Sequence, residues 1–274
     1  MPELPEVETT RSGVAPHVEG EVLERVVVRT TKLRYPLSQA MFRGLKGGRL
    51  MSVKRRGKYL LLNFDGSTVL IHLGMSGNLR VLESWFAPDK HDHVDFIFEN
   101  GICLRYTDPR KFGAVLRVKG NVYEHALLKS LGVEPLERAF NANYLYEASR
   151  QRKVAIKALL MDSRTVVGIG NIYASEALFL AGVDPRCIAM KLDKQACQRI
   201  VKAIKFVLRR AIKAGGTTLK DFVNGEGKPG YFQQQLEVYG RAGQECHRCG
   251  GLIEKFILGQ RSTYSCAACQ TLML

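Results

Sequence analysis

Apolar residues recur along the chain with two different periods, and the change from one to the other divides it. In the opening MPELPEVETTRSGVAPHV, Leu4, Val7, Arg11 and Val14 repeat at three- and four-residue spacing, which predicts a helix. Prolines suit the first turn of such a helix, and Glu3, Glu6 and Glu8 put negative charge at the positive end of its dipole. From about residue 20 to 118 the pattern becomes short apolar runs separated by turn dipeptides. RLMSVKRRGKYLLLNF and STVLIHLGMSGNLRVL flank Asp65-Gly66, and HVDFIFE and ICLRYT flank Asn100-Gly101. Several short strands with such turns predict an antiparallel sandwich or barrel.

Past Gly120 the helical period returns. YEHALLKSLG, KVAIKALLMD, ASEALFLAG and the long KQACQRIVKAIKFVLRRAIKAGG all read as helices. In the last, Ile200, Ile204, Val207, Leu208 and Ala211 form one apolar stripe, with Asp193 placed to cap its start and Gly215 to stop it. The boundary between the two regimes falls near 120–150. The expected class is α+β.

Charge changes the picture more than composition does. At 46% hydrophobic content the 274-residue chain is ordinary for a globular protein, and no apolar run is long enough to span a membrane. The acidic N-terminus carries no apolar signal core, so the expected location is cytoplasmic. Against this ordinary background, 41 Lys and Arg oppose 26 Asp and Glu, a formal net charge of +15. Such an excess attracts polyanions and releases their counterions, which makes nucleic acid the leading partner. There is no cationic amphipathic segment with a spare aromatic face, so membrane binding is not expected.

Four of the seven cysteines cluster near the end. CHRCGG and CAAC supply Cys246, Cys249, Cys266 and Cys269 as two C-x-x-C knuckles with sixteen residues between Cys249 and Cys266. Four soft sulfurs at this spacing suit one tetrahedral zinc ion, and a site filled by protein ligands is structural. Cys103, Cys187 and Cys197 have no such arrangement and read as packing residues. The loop GQRSTYSC joins Arg261 to two hydroxyls, a combination suited to phosphate.

Taken together, PELPEVET, RRGKYLL, HLGMSG, KHDHVD, YTDPRKFG, VGIGNIYASE, GGTTLKDF, GKPGYF and the four-cysteine segment resemble the formamidopyrimidine-DNA glycosylase family, in order, from residue 2 to 269. The resemblance implies an N-terminal antiparallel β-sandwich with an N-terminal helix, a helical domain with a helix–two-turns–helix motif, and a four-cysteine zinc finger. The corresponding divisions are 1–135, 136–239 and 240–274. It implies a base-excision repair enzyme that removes oxidised purines from duplex DNA and nicks the strand by β,δ-elimination. The partner it implies is duplex DNA with oxidised bases or abasic sites, and the expected state is a monomer on the nucleoid of a bacterial cell.

The resemblance also assigns roles. Once Met1 is removed, Pro2 carries a secondary amine that can attack the sugar C1′, and Glu3 beside it is an acid/base. Lys58, read from its surroundings as a lysine on an apolar strand, becomes a proton donor and phosphate clamp. Arg261 matches the finger arginine of the δ-elimination step. A guanidinium is a poor acid at neutral pH, which favours a phosphate contact. Met75, Arg110 and Phe112 match the trio that fills the void left by a flipped nucleotide, although by residue type Met75 and Phe112 belong in a core. Lys111 stands where the family commonly has arginine. His91, Arg152 or Lys153, Asn171 and His72 match backbone-contacting positions, and Lys220 lies in a glycine-rich stretch expected to close over the base. Glu6 is expected near the site and Glu8 on the helix surface. Two rivals follow: an endonuclease VIII-type enzyme for oxidised pyrimidines, disfavoured by Leu4 where that branch has glycine, and a non-catalytic binder of damaged DNA.

Overall fold

The computed structural model describes residues 2–216 and 236–272, so Lys220 and the GKPGYF stretch lie outside the described residues. The chain divides between Lys129 and Ser130 into two compact units, with Ala214–Gly216 returning to the first. Among the described residues no helix is long and apolar enough to cross a membrane.

The first unit opens with α1 (Leu4–Val18) and continues as two four-stranded antiparallel sheets. One has the order β1 (Leu23–Val28), β6 (Asp92–Phe98), β7 (Ile102–Thr107), β5 (Asn78–Glu83). The other runs β2 (Leu50–Arg56), β3 (Tyr59–Phe64), β4 (Ser67–His72), β8 (Ala114–Lys119). Leu60, Leu62, Val69 and Ile71 of the second sheet share a core with Leu79, Phe96, Leu104 and Tyr106 of the first and with Val7, Val14 and Val18 of α1. α1 touches β2 and β3 on one side and β5 and β7 on the other.

Both anticipated hairpins form, with Phe64 paired to Ser67 and Ile97 to Cys103. Two runs read as single segments are each two strands. RLMSVKRRGKYLLLNF turns at Gly57-Lys58, where Arg56 pairs with Tyr59 and Gly57 has φ +56°. Lys58 therefore sits in a two-residue hairpin loop, not on a strand, because glycine at the first loop position suits the twist of the flanking strands. STVLIHLGMSGNLRVL crosses at 73–77 from β4 in one sheet to β5 in the other.

On the outer face of the first sheet, Arg29 and Arg105 bond Asp95 at 2.6 and 2.8 Å, and Arg80 bonds Asp92 at 2.8 Å. Burial alone would raise the pKa of Asp95, but the hydrogen bonds and charges of Arg105 and Arg29 together more than offset it and hold it below the usual range. This paired ladder explains how aspartates stay ionised inside a buried strand.

The second unit contains α2 (Ala142–Ser149), α3 (Ile156–Met161), α4 (Asn171–Ala181) and α5 (Lys194–Lys213), followed by the hairpin β9 (Glu254–Leu258) and β10 (Arg261–Ser265). Asp193 accepts a 2.6 Å bond from the Ala196 N–H at the start of α5, and Gly182 closes α4 in the left-handed conformation. The helix expected over YEHALLKSLG is absent. A short 3₁₀ turn at Val122–Glu124 is followed by turns, and the chain then extends so that Gly132 N–H reaches the Ser163 carbonyl and Val133 bridges Val166. A Cβ on Gly132 would lie 2.4 Å from the Thr165 carbonyl oxygen, so this close approach overrides helix propensity.

Glycine also decides a crossing in the sandwich. A Cβ on Gly113 would stand 1.8 Å from the Tyr106 hydroxyl and 2.5 Å from the His72 carbonyl oxygen. Gly66, in the Asp65-Gly66 turn, has open space but φ +69°. Gly66→Ala is expected to cost about 1 kcal/mol from left-handed strain alone. Gly113→Ala should cost about 3 kcal/mol or more through overpacking. Urea unfolding of the two variants checks the order, and equal costs would contradict it.

Candidate active site and metal centre

Pro2 is buried directly before α1, and Glu3 is the residue that caps the helix. The cap is reciprocal. The Glu3 carboxylate accepts the Glu6 N–H, and the Glu6 carboxylate accepts the Glu3 N–H at 2.9 Å. Both side chains are buried, and the backbone of Gly216 lies against Glu6. A capping box normally begins with serine or threonine. Here a glutamate serves, so a carboxylate is fixed one residue from Pro2.

Glu8 is not the idle surface residue expected. It accepts a 2.8 Å bond from Arg55 Nε on β2, and Arg55 Nη1 donates to the Gly57 carbonyl at 3.0 Å. The first turns of α1 are thus tied to the loop that carries Lys58. Glu8 and Arg55 are the residues that sequence reasoning missed, since 47 positions separate them and no local spacing announces the pair.

Next to the Lys58 loop, Tyr59 pairs with His72 across the sheet and their rings are 4.9 Å apart. Burial of the imidazole, reinforced by the charges of Lys58 and Arg34 and opposed by Asp108, holds the His72 pKa at about 4. Its Nδ1 accepts the Gly74 N–H at 3.0 Å, so the ring is neutral with its proton on Nε2. His72 can offer one neutral donor to an anion.

Met75, Arg110 and Phe112 come together on two loops whose backbones touch. A Cβ on Gly74 would meet Gly113 N at 2.5 Å and Phe112 C at 2.6 Å. Met75 and Phe112, typed as core residues by composition, are 39% and 49% exposed, and the Arg110 guanidinium lies 4.9 Å from the Phe112 ring centre. Lys111 between them has φ +56°, a left-handed conformation uncommon for a side chain of this kind. An exposed apolar pair, with a cation and the left-handed Lys111 beside Phe112, suits insertion into a base stack. His91 lies just before β6, and its carbonyl accepts the Asp108 N–H at 3.0 Å.

In the second unit, Asn171 is the first residue of α4, and its side-chain amide donates to the Ser262 carbonyl at 2.8 Å. Lys157 on α3, almost wholly buried, donates to the same carbonyl and to Thr263 Oγ1 at 2.8 Å. Arg261 is exposed at the start of β10, after Gly259 and Gln260 with φ +54° and +61°. Those angles match the two-residue turn that favours right-twisted hairpins. Arg152 is drawn to Asp162 at 3.4 Å, whereas Lys153 is exposed.

The four finger cysteines converge, with their sulfurs all within 4.8 Å of one another. Cys246 and Cys269 are 3.9 Å apart, and Cys249 and Cys266 are 3.4 Å apart. Sulfurs about 2.3 Å from a tetrahedral zinc stand about 3.8 Å from each other, so the set fits one ion. The backbone N–H groups of Arg248 and Cys249 point at the Cys246 sulfur, and that of Cys269 at Cys266, which suits thiolates. The cluster packs against Phe179 of α4, Val238 and Ile253. Burial raises the Cys103 and Cys197 thiols to about 11, and among the described residues neither has a second cysteine beside it to share a metal, which leaves them packing groups.

A helix-capped sandwich, a four-helix segment and a tetrathiolate hairpin are the parts of a base-excision DNA glycosylase of the zinc-containing class, and comparison with known proteins agrees. Residues 1–115 match the formamidopyrimidine-DNA glycosylase N-terminal domain, 131–223 its H2TH domain, and 243–272 the zinc finger found in FPG and IleRS. The formamidopyrimidine-DNA glycosylase of Teredinibacter turnerae is 54% identical over 98% of this chain and 100% of its own. Among solved structures, a mutant of the Lactococcus lactis FPG in complex with Fapy-dG containing DNA is 32% identical with TM-score 0.91, covering 98% of this chain and 100% of that one. The L. lactis Fpg bound to abasic-site DNA is 31% identical with TM-score 0.90, covering 98% and 99%. The chain belongs to the formamidopyrimidine-DNA glycosylase family.

Chelation should strip the four cysteines and release the hairpin that presents Arg261. Affinity for duplex DNA is then expected to fall about tenfold or more, the worth of a lost charged contact. The strand signal in circular dichroism should persist. Unchanged DNA affinity after verified metal loss would contradict the assignment.

Proposed function

We propose that the chain removes oxidised purines such as 8-oxoguanine and formamidopyrimidines from duplex DNA and then cleaves the strand, with Pro2 as nucleophile. With Met1 removed, Pro2 presents a free secondary amine, and α-amino groups as a class are much less basic than lysine side chains, which favours a nucleophilic form at neutral pH. Its nitrogen bonds to the sugar C1′ as the base departs, and Glu3 supplies the proton that opens the ring. The product iminium has no N–H to lose, so it stays cationic and acidifies the C2′ proton. Loss of that proton expels the 3′ phosphate, and a second elimination expels the 5′ phosphate. Lys58 serves as proton donor and phosphate clamp, while neutral His72, Asn171 and Arg261 contact the backbone. Met75, Arg110 and Phe112 occupy the void, and His91 and Lys153 add contacts to the flanking strand.

The observation that carries this reading is the fixed start of α1. A buried carboxylate caps the helix beside Pro2, and Glu8 and Arg55 tie that turn to the loop of Lys58. A binder without catalysis has no need for an amine, an acid and a lysine linked in this way. DNA bearing Fapy-dG and DNA bearing an abasic site are the partners of the L. lactis relative, and we extend both to this chain as a monomer acting on the bacterial chromosome.

Glu3→Gln is expected to slow excision of 8-oxoguanine about 1000-fold, within the range for a lost acid/base, with the fold intact by circular dichroism. A form whose residue 2 remains amide-linked to an N-terminal extension should neither excise nor nick. Thymine glycol should be the poorer substrate. Faster release of thymine glycol than of 8-oxoguanine would favour the pyrimidine branch, and full activity of the extended form would remove Pro2 from the mechanism.

A further inference from the structure

One buried carboxylate holds both loops that carry Met75, Arg110 and Phe112. Asp108 is fully buried, and its two oxygens accept four hydrogen bonds. Oδ1 takes the Ser76 hydroxyl at 2.8 Å and the Arg110 N–H at 3.2 Å. Oδ2 takes the Gly113 N–H at 2.8 Å and the Tyr106 hydroxyl at 3.2 Å. Its main chain is engaged as well. The Asp108 N–H donates to the His91 carbonyl at 3.0 Å, and its carbonyl lies 2.9 Å from His93 Nε2.

Three of the four bonds reach the two loops, and the fourth, from Tyr106, anchors the carboxylate to the core of the sheet. Ser76 follows Met75 on the crossing between the sheets, and the Arg110 and Gly113 amides belong to the turn that displays Arg110 and Phe112. His91 is the neighbouring backbone contact. Two hydroxyls and two amides all point inward as donors, so the hub must be an acceptor at both oxygens. Asparagine would present one oxygen and an NH₂ group, losing up to two bonds and setting donors against donors. A buried charge in this position would cost more than it contributes unless all its bonds were made. The arrangement is therefore all or none.

We propose that Asp108 is a positioning residue for opening the duplex, locking the Met75 loop to the Arg110–Phe112 loop so that the wedge enters the stack preassembled. This rests on the reading that those three side chains fill the void. It separates two stages of the reaction. Base extrusion needs the wedge, whereas strand cleavage at an abasic site in a single-stranded oligonucleotide has no partner base to displace.

The test compares 8-oxoguanine excision from duplex with abasic-site cleavage in single-stranded DNA, for Asp108→Asn and Ser76→Ala. Asp108→Asn should lower duplex kcat/KM about 100-fold, the scale of an ångström-sized misplacement. Ser76→Ala, which removes only the bond between loops, should lower it about tenfold, and Ser76→Thr should restore most of it. Single-strand cleavage should stay within about twofold for both. The fluorescence rise of 2-aminopurine beside the lesion, which reports unstacking, should slow in step with duplex excision. If Asp108→Asn fails to fold, Ser76→Ala and its threonine rescue carry the test alone. Parallel loss in both assays, or unchanged duplex excision in Ser76→Ala, overturns the proposal. Absence of 8-oxoguanine excision by the unaltered enzyme would instead overturn the functional reading beneath it.

Discussion

Everything in the proposed chemistry depends on where the first turn of α1 is held. A chain terminus is normally the least ordered part of a domain, because few contacts oppose its conformational freedom. Here the terminus is restrained twice. The Glu3 and Glu6 side chains exchange hydrogen bonds with each other's backbone, and Glu8 grips Arg55, whose guanidinium also holds Gly57. Each bond alone is worth about 1 kcal/mol, and those involving charge somewhat more. Their combined effect is geometric. They fix a nucleophile candidate, its acid and the Lys58 loop relative to one another, while Leu4, Val7 and Val14 anchor the helix itself by apolar burial.

The remaining parts of the site follow the same principle, with rigid elements presenting short, strained or close-packed loops. Two sheets with a shared core support the crossing at 73–77 and the turn at 108–113, and glycines at 74 and 113 let their backbones meet. In the second unit the hairpin bearing Arg261 is clasped by Asn171 and Lys157 through Ser262 and Thr263, and it shares apolar contacts with Phe179. The zinc ligands close the far end of that hairpin. Helix, lysine and the four cysteines thus converge on the few residues that follow Arg261.

Much of this was legible in the sequence because it depends on local chemistry. Asp65-Gly66 and Asn100-Gly101 specify hairpins through backbone sterics, Asp193 caps a helix through its own carboxylate, and two C-x-x-C knuckles specify a metal by spacing. What was not legible depends on distant partners. YEHALLKSLG has helical composition, yet Gly132 and Val133 pair with residues 163–166 and pull the chain straight. Lys58 read as part of a strand because the run RLMSVKRRGKYLLLNF contains only one glycine to betray the turn. Glu8 resembled a solvated helix residue, since its partner is on another strand. The exposure of Met75 and Phe112 runs against residue type, and only the resemblance to a family anticipated it. The hub at Asp108 offers no periodicity at all, because one of its four donors is 32 residues away and the others fall unevenly on either side of it.

The most direct measurement is to reduce the enzyme–DNA intermediate with borohydride, digest the covalent complex and find by mass spectrometry which peptide carries the nucleotide. The sugar remnant should be attached to the nitrogen of residue 2, in a peptide beginning at Pro2. Attachment to the side chain of Lys58, or to any other lysine, would contradict it.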